Sequence, residues 1–140
     1  MSTRKWLCVV AFVVAACQTG APGRSPVAAL DHVIVGVSDL EQGIADFTAA
    51  TGVVPVRGGQ HPGRGTENAL VSLGNGAYLE LIAPRREATD DPMAKFLRSL
   101  QRPTAIGWAL QVKDAAAAHA YLGSRGFEVT PLRPGSRQTP

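Results

Sequence analysis

Cysteine is nearly absent from this chain: its 140 residues hold two, Cys8 and Cys17, both close to the N-terminus. That excludes a disulfide framework and a thiol nucleophile from everything that follows them. Aromatic residues are sparse, at 6%, and no basic stripe is interleaved with them, so no nucleic-acid interface is expected. No apolar run reaches the ~20 residues that a membrane-spanning helix needs. A nucleophile elbow, a Walker loop and a dinucleotide fingerprint are missing as well. What the chain does have is apolar character, 45% of its residues, which is enough to give one domain a core at a length too short for two.

The first residues, MSTRKWLCVVAFVVAAC, place a basic start at Arg4 and Lys5 before an apolar run of about a dozen residues. This is the anatomy of an export signal over residues 1–16. Its end, Val14-Ala15-Ala16-Cys17, resembles the bacterial lipoprotein box, which implies that Cys17 carries the lipid and becomes the first mature residue. Ordinary cleavage nearby is the alternative. Gln18, rather than an aspartate, follows the cysteine. Under Gram-negative sorting that favours the outer membrane, so the expected place is the cell envelope, lipid-anchored and facing the periplasm. Losing Arg4 and Lys5 lowers the formal charge of +3 by two, to +1, too little to imply an acidic partner. Residues 17–29 have the composition of a tether.

From Leu30 the pattern changes. Val33, Val35 and Val37 alternate with His32, Ile34 and Gly36, as in a strand with one face on a core. Ser38 to Glu41 has the spacing of a capping box, Leu40, Ile44 and Phe47 share one helical face, and Gly52 provides a left-handed exit. Val53–Val56 reads as a short strand broken by Pro55, and GGQHPGRGTEN as a loop. Two apolar runs, ALVSL and AYLELIA, flank Gly74-Asn75-Gly76, a strong hairpin signal. A first β-α-β-β-β module therefore covers residues 30–84. A connector helix is expected at about 91–101, opened by Asp91-Pro92 and carrying Met93, Phe96 or Leu97, and Leu100 on one face.

The order then begins again over residues 104–132, with strand AIGWALQV, an alanine-rich helix from Asp114 to Arg125, Gly126, and a short strand FEVTPL. A slide of 75 residues superposes Asp39 on Asp114 and Val35 on Leu110. The second copy is incomplete, and residues 133–140 form a tail. The fold class is α+β.

With DHVIVGVSDL opening the first copy and GAYLELIAP closing it, the paired module resembles the vicinal oxygen chelate superfamily, in particular its glyoxalase-like domains. That resemblance implies two curled modules enclosing a cavity with a divalent metal held from the first and fourth strands of each. Carried over, the first-strand position is His32 and the fourth-strand position is Glu80. The alternation in AYLELIA agrees: Tyr78, Glu80 and Ile82 oppose the aliphatic set, so His32 and Glu80 face one cavity. An imidazole and a carboxylate suit Zn, Ni, Mn or Fe(II). At the 75-residue offset, however, His32 falls on Gly107, which has no ligand to give.

Two readings of the pair follow: a metal half-site, or a hydrogen-bonded pair in a metal-free ligand cavity, with the missing ligand favouring the second. Glu80 can also serve as a general base toward an activated C–H bond. Tyr78, and His61, Arg64 and Asn68 from the glycine-rich loop, are expected to line the pocket, with plain loop solvation as the rival for the last three. Trp108 is expected in the core by its alternation with Leu110 and Val112, and His119 on the surface. The resemblance leaves two function classes: an envelope-anchored protein that binds a small molecule, of the bleomycin-resistance kind, and a metal-dependent lyase, isomerase or dioxygenase. A homodimer that supplies the missing half of the cavity is a further expectation.

Overall fold

The computed structural model describes residues 27–133, and the signal, Cys17, most of the tether and the tail from residue 134 onward lie outside them. Three helices and five strands follow in the order β1 (Val27–Gly36), α1 (Leu40–Thr51), β2 (Val56–Gln60), β3 (Thr66–Gly74), β4 (Ala77–Pro84), α2 (Pro92–Arg98), β5 (Thr104–Val112) and α3 (Ala115–Ser124). No helix among the described residues is long and apolar enough to cross a membrane. The strands form one sheet in the order β2-β3-β4-β1-β5, with β1 parallel to β4 and antiparallel to β5. The architecture is the α+β one, and β1 and β5, the strands expected to open the two modules, lie side by side.

Period-two alternation decides which face is buried. Val33 and Val35 are in register with Leu79 and Leu81. This aliphatic side packs under α1, where Val37, Leu40, Ala69, Leu81 and Ala83 form a buried cluster joined by Ile44 and Phe47. The other side of the same strands carries His32, Tyr78 and Glu80. At its far end α2 leans on Gly36: a Cβ there would come 2.8 Å from both Leu97 and Leu100. The hairpin turn is as expected, with Asn75 and Gly76 both at positive φ, the twist that suits two antiparallel strands.

Several boundaries differ from the sequence reading. The N-cap of α1 is Asp39, whose carboxylate accepts from Gln42 N–H at 2.9 Å, so the cap sits one residue beyond Ser38. Asp114 caps α3 in the same way, which is why the two aspartates superpose in the repeat. The glycine-rich stretch is mostly strand: β2 runs to Gln60 and β3 starts at Thr66, leaving only residues 61–65 as loop. In α2 the buried positions are Ala94 and Leu97, while Met93 and Phe96 are exposed. FEVTPL is not a strand, since none of the described strands pairs with it. Trp108 is not core but 66% exposed. It shares the face of Val33, which α1 covers only over β3 and β4, and α3 buries nothing beyond Ala118.

Candidate functional site

Four neighbouring segments deliver the polar groups of the face opposite α1. On β4, Glu80 is 8% exposed, and in register terms it stands beside Ile34 of β1 and Leu70 of β3. On β3 the same face carries Thr66 and Asn68, two residues apart, while Ala69 and Val71 turn to the core. From β1 comes His32, and from the turn after β2 comes His61.

The contacts radiate from Glu80. Its Oε1 accepts from Asn68 Nδ2 at 2.6 Å and lies 3.3 Å from His61 Nε2, while its Oε2 lies 3.6 Å from His32 Nε2. Asn68 Nδ2 also approaches His61 Nε2, at 3.1 Å. His61 Nδ1 meets the Thr66 hydroxyl at 2.8 Å, so where Nε2 accepts from the Asn68 amide a neutral ring carries its proton on Nδ1. Thr66 is 1% exposed, and this bond is where its hydroxyl is satisfied. His32 Nδ1 meets Asp31 Oδ1 at 2.7 Å, and the His32 ring stacks on Tyr78 with centroids 4.6 Å apart. His32, Glu80, Tyr78, His61 and Asn68 are thus brought together. Thr66 and Asp31 belong with them, although nothing in residue spacing singles them out.

Arg64 stands apart. It is exposed, and its charge acts on Asp91, the N-cap of α2. The N–H of Ala94 holds the Asp91 carboxyl below the usual aspartate range against the opposing cost of burial, with the N–H groups of Gly65 and Met93 and then the charge of Arg64 adding to the lowering. Asp91 thereby ties α2 to the loop that presents His61. That loop closes with His61 N–H donating to Thr66 O at 2.9 Å and Arg64 N–H to His61 O at 3.1 Å. His119 is half-buried rather than fully exposed, with Nε2 3.1 Å from the carbonyl of Thr130.

The resemblance read from the sequence implies a divalent ion, so the donors can be tested against one. Two imidazoles and a carboxylate are suitable in kind. Their placement is not: His32 addresses Oε2 and His61 addresses Oε1, on opposite oxygens, so the nitrogens flank the carboxylate instead of converging on one point. Among the described residues no group of three or more His, Cys, Asp or Glu side chains could hold a metal ion. Gly107, opposite Ile34 on β5, supplies no further donor. The donor set does not fit a resident divalent ion.

The sequence profile of the glyoxalase-like domain family matches residues 30–140. Among solved structures, methylmalonyl-CoA epimerase from Mycobacterium tuberculosis is 31% identical at a TM-score of 0.58, over 74% of this chain and 68% of that one. A variant of the Streptomyces coelicolor methylmalonyl-CoA epimerase in complex with 2-nitronate-propionyl-CoA is 24% identical at a TM-score of 0.59, over 79% of this chain and 81% of that one. A hypothetical protein from Bacillus halodurans is 21% identical at a TM-score of 0.57, over 69% and 67% of the two chains. The last two likenesses are of fold. No curated protein matches the chain.

Proposed function

Because the chain belongs to the glyoxalase-like domain family, we propose that the sheet face carrying His32, His61, Asn68 and Glu80 binds a small carbonyl compound, and that Glu80 takes a proton from the carbon beside its carbonyl. The observation that carries this reading is the unequal treatment of the two Glu80 oxygens. Oε1 is fixed by Asn68 at 2.6 Å, whereas Oε2 meets His32 only at 3.6 Å, beyond hydrogen-bond distance. One oxygen anchors the carboxylate and the other can receive a proton. As the C–H bond breaks, its electron pair moves into the carbonyl to give an enolate; reprotonation by Glu80 restores the same face with exchange of the proton, and a proton delivered from solvent to the opposite face inverts the carbon, the outcome of an epimerase or isomerase. The likeness to methylmalonyl-CoA epimerase supports the reaction class.

A second reading, ligand binding without turnover, is favoured by Gly107, which leaves the β5 position in register with Ile34, beside Glu80, without a side chain. The two separate with one C2 epimer of methylmalonyl-CoA as probe, with conversion to the other epimer followed over time. Wild type is expected to equilibrate the two epimers and Glu80→Gln to do so about 10²- to 10⁴-fold more slowly. Saturable binding with no conversion would instead establish the binder.

The same proposal places the protein in the cell envelope through a lipid on Cys17, supported by the residues around that cysteine alone. Radiolabelled palmitate is expected to enter the wild type and not Cys17→Ser, and label in both proteins would remove Cys17 from this role.

A further inference from the structure

Strict alternation puts Asp31 on the opposite face from His32, under α1 and away from the site. The ladder with β5 is not regular there. Leu30 pairs with Leu110 and His32 with Ala109, so β1 uses two residues where β5 uses one, and Asp31 is the extra one. Such a bulge re-aims a side chain. Here it brings the Asp31 carboxylate to within 2.7 Å of Nδ1 of His32, with both side chains mostly shielded, at 19% and 16% exposure.

At 2.7 Å a nitrogen and a carboxylate oxygen require a hydrogen between them, because two lone pairs at that distance repel. The proton therefore lies on Nδ1. A neutral ring then keeps an unprotonated Nε2, and that nitrogen is the one facing Oε2 of Glu80 at 3.6 Å. We propose that Asp31 is a positioning residue: bulged out of β1, it fixes the tautomer and orientation of His32 so that Nε2 and Glu80 Oε2 present two acceptors side by side. The unprotonated Nε2 then stands beside Oε2 as a second group able to take up a proton at the site. That last use rests on the proton transfer proposed above, whereas the tautomer does not.

Two-bond ¹H–¹⁵N correlation spectra at a pH where the rings are neutral read the tautomer directly, and the chain has only three histidines to resolve. In the wild type His32 is expected to be protonated on Nδ1. Asp31→Ala moves the proton to Nε2 while His61 and His119 keep theirs, and Asp31→Asn, whose amide oxygen still accepts, restores the Nδ1 form. A wild-type His32 protonated on Nε2 overturns the proposal, whether or not any variant folds, and so does an unchanged tautomer in Asp31→Ala. In solvent-deuterium exchange at the substrate carbon, Asp31→Ala is expected to be about 10- to 100-fold slower at unchanged ligand affinity. Absence of exchange in the wild type would sink the proton-transfer reading and leave the tautomer result standing.

Discussion

A Cβ built on Gly58 would lie close against Oδ1 of Asn68, so the Asn68 amide occupies the space that any side chain at position 58 would take. Gly58→Ala is expected to push that amide off Glu80, costing about 1–3 kcal/mol in denaturant unfolding and weakening turnover with it. Gly107→Ala is the control: its Cβ would lie 3.7 Å from Ile34 Cδ1, an ordinary contact, and the change should stay within about 0.5 kcal/mol. At this scale the sequence is informative where period two holds. His32 and Glu80 come out on one face because each alternates cleanly against aliphatic neighbours. Asp31 stays hidden because a bulge, which no local pattern announces, overrides the alternation. Thr66 stays hidden because its role depends on where His61 comes to rest.

Among the elements, the glycine-rich stretch is the instructive case. Its composition reads as loop, yet pairing with β3 makes most of it strand, since ladder bonds outweigh the weak intrinsic preference of glycine. The five residues left over form a turn, and Asp91 clips that turn to α2. Because the Asp91 carboxyl titrates lower folded than unfolded, its contribution is complete above the ordinary aspartate range and is lost as pH falls through the lowered folded value. Amide exchange at Gly65 and Ala94 should therefore quicken on the acid side before the rest of the domain responds. Asp91→Asn, which can still cap, should remove that pH dependence, and identical acid profiles for the two proteins would contradict the clip.

Across the whole molecule, Asp39 and Asp114, matched by the 75-residue slide, each cap a helix, and the strands before those helices, β1 and β5, pair along one sheet. The exposure of Trp108 was not readable, because it depends on which helix covers which strand. Among the described residues β5 is one of the two edge strands, with Trp108 two-thirds exposed, and such an edge favours self-association. Sedimentation velocity should show a larger species growing with concentration, reduced in Trp108→Ser, and a concentration-independent monomer would contradict it. The central claim is that Glu80 takes a proton from carbon on this face. Its most direct measurement is loss of the α-proton signal of methylmalonyl-CoA in D₂O, compared between wild type and Glu80→Gln at equal ligand occupancy. Rapid loss with the wild type and loss at least about a hundredfold slower with the variant is predicted. Equal rates for the two proteins, or no loss with either, would contradict it.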